Sequence, residues 1–496
     1  MYVGVDCGTQ GTKVVILDTQ NARILGEGYF SHPLISDANG RREQKPEWWI
    51  EAFIKSYRIA LENSGINSRL IKGIGVSGQQ HGLVALNRNG EVIRPAKLWC
   101  DTETESQNTE ILEKLGGESG SLDALGLVIA TGYTISKLLW LKQNEPESFS
   151  QIAHVLLPHD YFNYWLTGEL VTEYGDASGT GYFDVRSKSW QPEVFKLIGC
   201  SHLESVLPTL ISAEQSVGCV KHDIASLLGL DSNVVVASGG GDNMMGAIGT
   251  GNIRDDIITM SLGTSGAIYA CSSQNMKQKS PLIASFCSSN NQWLPLICTM
   301  NVTSSVNIIR ELFNLSISEF NDAAAGAEIG SSGVTVLPFF NGERVPNLPD
   351  AQGSILGLNA HNMTKENVCR AVMEGATFGL RYGLDLFRDA GIQDKEIRLI
   401  GGGSKSQLWR QMVADIMGTP IVCPQEGEAA ALGAAIQAVW CDSQRKGESV
   451  ELADLCGQFV TIDDSRTTFP EMGSVAAYHD VYERYKSNLS LIHSEV

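Results

Sequence analysis

The residue best placed to do chemistry is Asp242, which follows Gly239-Gly240-Gly241 at the end of an apolar run. A carboxylate at the end of a strand can accept the proton of a substrate hydroxyl as that oxygen attacks a phosphorus atom. Asn243 beside it can hydrogen-bond a neighbouring hydroxyl. The stretch 243–248 has a helical pattern, so Asp242 could also cap that helix. We take proton transfer as the functional interpretation.

A second polar group, Gln79-Gln80-His81, lies between Gly78 and Gly82 at the end of another predicted strand. Amide and imidazole side chains both donate and accept hydrogen bonds, as do the hydroxyls of a polyol. We therefore predict that Gln80 and His81 contact a sugar. A structural or solvated histidine is the alternative.

A Gly-Thr turn between two apolar runs occurs twice, at residues 6–13 and 261–266, and each copy predicts a strand, a tight turn and a strand. Such turns bring backbone N–H groups and hydroxyls close to an anion. We predict that the phosphates of a nucleotide are held by Gly8, Thr9, Thr12, Lys13, Gly263, Thr264 and Ser265. Only the first copy has a carboxylate, Asp6, which we predict holds Mg²⁺ through water.

A third glycine-rich turn, at residues 401–406, follows a predicted strand and precedes a helix that begins near Gln407. Such a turn can lie against a base or ribose and direct N–H groups at phosphate. A plain strand-to-helix turn is the alternative. No G-x-x-x-x-G-K-[ST] phosphate loop is present in the sequence.

The composition limits the class of partner. The net charge of -19 and the pI near 4.9 disfavour nucleic acid and anionic membranes as partners. The first residues lack the pattern of a secretion signal, no apolar run is long enough to span a bilayer, and the 11 cysteines form no paired C-x-x-C motifs. We expect a cytoplasmic protein that binds small molecules.

Strand and helix patterns alternate over most of the 496 residues, which predicts an α/β fold. The two Gly-Thr turns open two halves of similar layout with a cleft between them. We predict a first domain at 1–249, a second at 250–445, and a helical tail at 446–496. The helical stretch at 428–440 is rich in alanine, and its small residues favour close backbone packing.

Together and in this order, these motifs resemble the FGGY carbohydrate kinases over residues 2–440. The most specific phrases are 6–9, 43–49, 77–82, 239–243, 341–346 and 353–374. The resemblance implies two actin-like (ribonuclease H-like) ATPase domains that close around ATP and a sugar, with Mg²⁺ as the metal.

The resemblance also implies individual roles. Asp242 matches the proton acceptor, Asp6 the acid needed for activity, and Gln80 with His81 the pair that contacts the sugar. The positions that touch the nucleotide are matched by Gly402, Gly403 and Ser406.

For the substrate, the resemblance implies phosphorylation of D-xylulose at its terminal 5-hydroxyl. Glycerol-phosphorylating relatives carry Asn-Gln-Arg-Glu where this chain has Gly78-Gln-Gln-His81, which disfavours glycerol. Some bacterial relatives that act on xylulose have Met in place of Gln80. The alternatives are another ketose or polyol, such as ribulose or a sugar alcohol, and an actin-like nucleotide-switch protein. The oligomeric state is open, with a homodimer as one alternative.

Overall fold

The structure of the chain is a computed structural model that describes residues 1–275 and 280–494. Residues 276–279 of the predicted second domain and 495–496 of the predicted tail lie outside the described residues. Among the described residues, no helix combines the length and the apolar character that crossing a membrane requires.

The strands of the first half are β1 Tyr2–Cys7, β2 Gly11–Asp18, β3 Arg23–Ser31, β4 Ile35–Ser36, β5 Arg42–Gln44, β6 Gly73–Gly78, β7 Val84–Leu86, β8 Ala96–Lys97, β9 His154–Leu156, β10 Val171–Glu173, β11 Phe183–Asp184, β12 Ser189–Trp190, β13 Thr209–Ile211, β14 Ser216–Cys219, β15 Val235–Ala237 and β16 Gly240–Gly241. Those of the second half are β17 Ile257–Leu262, β18 Gly266–Ala270, β19 Ala284–Cys287, β20 Trp293–Thr299, β21 Thr335–Leu337, β22 Ser354–Leu356, β23 Glu396–Ile400 and β24 Ile421–Val422.

The α-helices are α1 Pro46–Ser64, α2 Glu105–Leu115, α3 Gly117–Leu125, α4 Thr134–Asn144, α5 Pro146–Ser150, α6 Pro158–Thr167, α7 Tyr174–Ala177, α8 Glu193–Leu197, α9 His222–Leu228, α10 Asp242–Gly249, α11 Thr303–Leu312, α12 Ile317–Ala325, α13 Lys365–Asp389, α14 Gln407–Met417, α15 Ala429–Arg445, α16 Leu452–Phe459 and α17 Met472–Ile492. Short 3₁₀ turns lie at Ser68–Leu70, Ser201–Val206, Ser331–Gly333, Gly402–Lys405 and Asp464–Arg466.

Each half contains one large mixed sheet, and the two sheets repeat the same pairing. In the first half β1 pairs antiparallel with β2 and parallel with β6, which in turn pairs parallel with β15. In the second half β17 pairs antiparallel with β18 and parallel with β23, which in turn pairs parallel with β24. The duplication predicted from the two Gly-Thr turns therefore extends through both sheets.

Local signals in the sequence account for the ends of several helices. Helix α1 begins with Pro46 and ends at Ser64, and Gly65 caps it in the left-handed conformation with a φ of 66°. The side chain of Thr364 caps α13 by accepting from the backbone N–H of Asn367. Helix α15 continues past Trp440 to Arg445, which is beyond the predicted end.

The alanine-rich helix α15 packs against the first sheet at backbone distance, as its small residues predict. A Cβ atom added at Gly4 of β1 would lie 1.8 Å from the carbonyl oxygen of Ala431. A Cβ atom added at Gly433 of α15 would lie 1.8 Å from the carbonyl oxygen of Met245 in α10. The chain after the second sheet thus returns to the first sheet and to the helix that begins with Asp242.

The last helices pack into the two halves. Leu455 and Phe459 of α16 belong to the apolar cluster between the first sheet and α15. Tyr478 and Tyr485 of α17 are buried in the core of the second half, where the Tyr478 hydroxyl accepts from Arg370 at 2.7 Å. The division of the chain at residues 249 and 445 stays a prediction.

Replacing Gly4 with alanine is expected to lower the free energy of unfolding by roughly 3 kcal/mol, since the added methyl overpacks a backbone contact. Gly457→Ala is the matched control, because Gly457 lies in α16 with nothing within 4 Å of the added carbon. The control is expected to be neutral or stabilising by up to about 1 kcal/mol. Urea unfolding of both variants measures the difference, and equal effects would contradict the packing assigned to α15.

Candidate active site

Three parallel strands end side by side at one edge of the first sheet. Asp6 of β1 lies opposite Ser77 of β6, and Gly240 of β16 also lies opposite Ser77. The Ser77 hydroxyl donates to Oδ1 of Asp6 at 2.8 Å. Because α10 begins directly after β16, this edge brings Asp6 and Asp242 together.

Asp242 is the first residue of α10 and does not cap it, since the capping position is Gly241. Its Oδ1 atom accepts from the backbone N–H of Asn243 at 2.8 Å and from Nδ2 of Asn243 at 3.1 Å. Burial, and then the charge of Asp6, raises the pKa of Asp242 to about 7. A carboxylate with a pKa near the working pH is suited to accept and release a proton.

The surroundings of Asp6 fit a divalent cation. Burial raises the pKa of Asp6 to about 6, and the charge of Glu428 adds to this rise, while Ser77 and Lys13 lower it. Carboxylates that hold one another's pKa high are stabilised in the ionised form by a cation between them. Carboxylate oxygens are also the ligands that Mg²⁺ prefers.

The predicted sugar contacts lie beside Asp242. Asn243 Nδ2 donates to Oε1 of Gln80 at 3.0 Å, and among the described residues Nε2 of Gln80 is buried without a hydrogen-bond partner. The His81 ring stacks on Tyr133 with 4.6 Å between ring centroids and lies 5.6 Å from Phe286 of the second half. Burial lowers the pKa of His81 to about 3, so the neutral ring offers one donor and one acceptor.

The first Gly-Thr turn follows β1. Its Gly8 N–H donates to the carbonyl oxygen of Gly11 at 3.1 Å. The Thr9 hydroxyl donates to Gln79 at 3.2 Å and accepts from the indole N–H of Trp99 at 2.9 Å. The turn is therefore joined through side chains to the loop that contains Gln79, Gln80 and His81.

Thr12 and Lys13 follow the same turn, and their side chains are buried or form an ion pair. Thr12 is fully buried in β2, and the nucleotide contact predicted for it stays a prediction. Lys13 forms an ion pair with Glu428 at the start of α15. This ion pair connects the first turn to the chain that returns from the second half.

The second Gly-Thr turn is anchored to the start of α11. Thr303 N–H donates to the carbonyl oxygen of Gly263 at 3.0 Å, and Ser304 N–H donates to that of Thr264 at 3.2 Å. The side chains of Thr264 and Ser265 are exposed. These hydroxyls are available to a ligand.

The glycine-rich turn lies directly against this second turn. A Cβ atom added at Gly401 would lie 2.7 Å from the carbonyl of Leu262. Gly402 is exposed with nothing within 4 Å of an added Cβ, whereas Gly403 is buried. The Ser406 hydroxyl caps α14 and donates to Asn321 at 2.9 Å, so the structure shows a structural role for it.

The sequence matches two family models. Residues 1–249 match the N-terminal domain of the FGGY family of carbohydrate kinases, and residues 258–441 match the C-terminal domain. The chain belongs to the FGGY family of carbohydrate kinases. The resemblance inferred from the motifs is confirmed.

Individual relatives align with this chain over nearly its whole length. The chain is 54% identical to the xylulose kinase of Haemophilus influenzae over 498 residues, which is 99% of this chain and 100% of that protein. Its structure is similar to a ligand-bound xylulose kinase from Lactobacillus acidophilus, with a TM-score of 0.92, 26% identity and coverage of 100% and 98% of the two chains. A gluconate kinase from the same organism gives a TM-score of 0.91, with 27% identity and the same coverage. The predicted fold class is confirmed, and the fold does not discriminate between these sugars.

The structure of the kinase also shows a buried group that the sequence analysis missed. His159 Nδ1 and Asp176 Oδ2 are hydrogen-bonded at 2.5 Å, and burial raises the pKa of Asp176 well above its ordinary value. Glu173 lies next to them, 3.2 Å from a Cβ atom added at Gly240. The charge of Asp176 contributes to the raised pKa of Asp242, so this group belongs to the electrostatics of the site.

Replacing Asp242 with asparagine is expected to stabilise the folded kinase at pH 8. The folded pKa of about 7 exceeds the ordinary value of 3.8, so wild-type stability falls as the pH rises between these values and the carboxylate ionises. The melting-temperature gain of Asp242→Asn over wild type should shrink as the pH falls from 8 to 5. Exposed Asp231→Asn is the control, and a gain that does not vary with pH would contradict the assignment.

Proposed function

We propose that this kinase transfers the γ-phosphoryl group of ATP to the 5-hydroxyl of D-xylulose, which yields D-xylulose 5-phosphate and ADP. The observation that carries the chemical step is the buried carboxylate of Asp242, whose pKa is raised to about 7. Beside it lies Gln80, whose Nε2 group has no hydrogen-bond partner among the described residues. The choice of sugar is supported by the 54% identity to the xylulose kinase of Haemophilus influenzae. ATP as phosphoryl donor follows from the kinase family.

In the chemical step, Asp242 accepts the proton of the sugar hydroxyl while its oxygen forms a bond to the γ-phosphorus. The bond between that phosphorus and the bridging oxygen of ATP breaks, and ADP leaves with the electron pair. Asp242 then releases its proton to solvent. A protonated Asp242 cannot accept this proton, so the reaction is expected to slow as the pH falls below 7.

The sugar is oriented by the residues beside Asp242. Nε2 of Gln80 is buried and has no hydrogen-bond partner within residues 1–275 and 280–494, and a sugar hydroxyl would satisfy it. Neutral His81 and Asn243 provide further donors and acceptors. Tyr133 and Phe286 line the His81 ring with apolar surface from both halves.

The nucleotide is assigned to the two Gly-Thr turns and the glycine-rich turn beside the second. The residues proposed to contact it are Gly8, Thr9, Thr12, Lys13, Gly263, Thr264, Ser265, Gly402, Gly403 and Ser406. Lys13 would exchange Glu428 for a phosphate oxygen. Mg²⁺, held by Asp6 through water, would neutralise charge on the phosphates when bound.

Closure of the proposed domains 1–249 and 250–445 excludes water from the transfer. The last segment, 446–496, supports both through α16 and α17. We place the reaction in the cytoplasm, where ATP is available, and all 11 cysteines are free thiols. The oligomeric state, with a homodimer as one alternative, stays open.

An ADP-release assay with D-xylulose, D-ribulose, xylitol, gluconate and glycerol tests the proposal. Wild type is expected to have its highest kcat/KM with D-xylulose. Asp242→Ala is expected to lower kcat by about 10²- to 10⁴-fold, because it removes the proton acceptor. Asp231→Ala is the exposed control and should retain wild-type kcat.

Three results would contradict the proposal. ADP release that is independent of sugar would favour a nucleotide-switch protein. A preference for another sugar would reassign the substrate within the family. Near-wild-type turnover by Asp242→Ala would remove the proton acceptor from the mechanism.

A further inference from the structure

A fully buried lysine, which the proposed reaction does not use, contacts the loop that contains Gln80 and His81. Lys137 of α4 is 0% exposed, and its ammonium donates to the carbonyl oxygen of His81 at 2.5 Å and to that of Gly132. Within residues 1–275 and 280–494, no carboxylate forms an ion pair with it. Burial of an unpaired ammonium is costly, so its hydrogen bonds must compensate.

The carbonyl that Lys137 holds belongs to a residue in a strained backbone conformation. His81 has a φ of 65°, in the left-handed region that residues with a side chain rarely adopt. The Thr134 hydroxyl donates to the same carbonyl oxygen at 3.1 Å. Two donors on one oxygen fix the orientation of the peptide that follows His81.

The same turn of α4 also fixes the imidazole. Tyr133 immediately precedes the helix, and its ring stacks on that of His81 with 4.6 Å between centroids. Backbone and ring of His81 are therefore both held by residues 133–137. Without the Lys137 contact, the backbone of His81 would relax toward negative φ. Its imidazole would then move away from the sugar.

We propose that Lys137 is a positioning residue for the sugar. It holds His81 in the left-handed conformation, and so sets where the imidazole and the adjacent Gln80 amide meet the sugar hydroxyls. This inference rests on the proposed function, because Gln80 and His81 are taken as sugar contacts.

The contact does not depend on one charge state of the lysine. Burial lowers the pKa of Lys137 to about 7. A neutral amine retains two N–H groups, which is enough for the carbonyl oxygens of His81 and Gly132. The positioning is therefore expected on both sides of neutral pH.

The test compares Lys137→Met with a matched control, Lys142→Met, in steady-state assays that vary D-xylulose and ATP separately. Lys142 lies on the same helix and also donates to two carbonyl oxygens, those of Ile198 at 2.8 Å and Gly199 at 3.1 Å. Lys137→Met is expected to raise the KM for D-xylulose about tenfold and to lower kcat, with the KM for ATP unchanged. Lys142→Met should leave both KM values at the wild-type level.

If Lys137→Met does not fold, a second pair of variants tests the positioning role. Thr134→Val removes only the other donor to the His81 carbonyl and is expected to raise the KM for D-xylulose about threefold. Thr134→Ser retains the hydroxyl and should restore the wild-type KM. If Lys137 and Thr134 had only a structural role, Lys137→Met and Thr134→Val would lower the melting temperature and leave the KM of the folded protein for D-xylulose unchanged.

The inference and the proposed function fail separately. If wild type shows no ADP release that depends on D-xylulose, the proposed function is wrong. If wild type is active and both the folded Lys137→Met protein and Thr134→Val have the wild-type KM for D-xylulose, the positioning role is wrong. If Lys137→Met does not fold, a wild-type KM for Thr134→Val alone overturns the role.

Discussion

The parallel pairing of β1, β6 and β16 is the constraint on which the rest of the site depends. It sets Asp6 and Gly240 opposite the same residue, Ser77, and the helix that starts with Asp242 follows at once. Helix α15 packs on β1 at backbone distance through Gly4, and α10 contacts α15 in the same way. Two acids from distant parts of the sequence are therefore held at one edge of one sheet.

This arrangement has an electrostatic consequence. Burial raises the pKa of both Asp6 and Asp242. The charge of Glu428 adds to the rise for Asp6, and the charges of Asp6 and Asp176 add to the rise for Asp242. Such a site favours the binding of a cation, and of a substrate hydroxyl that can give its proton to Asp242. Lys13, paired with Glu428, is a cation at the edge of this group. The same charges that suit Mg²⁺ and a sugar hydroxyl destabilise the folded protein at alkaline pH.

Residues whose roles follow from local pattern were predictable from the sequence. Gly-Thr turns between apolar runs predict the paired strands that the structure has. The positions of Asp6, Gln80 and Asp242 at strand ends predict that they lie near one another, and their roles stay a proposal. Contacts between distant segments were not predictable, because no local pattern encodes them. The contact between the rings of His81 and Phe286 is one example. The full burial of Thr12 was not predictable either, because a threonine in a strand that is buried on both faces carries no local sign of it.

The most direct test of the account follows the γ-phosphate of ATP by ³¹P NMR in the presence of Mg²⁺ and D-xylulose. The account predicts that the γ-phosphorus of ATP appears in one sugar phosphate monoester. Inorganic phosphate is expected to form much more slowly, with or without the sugar. Formation of inorganic phosphate as the main product, at a rate that the sugar does not change, would contradict it.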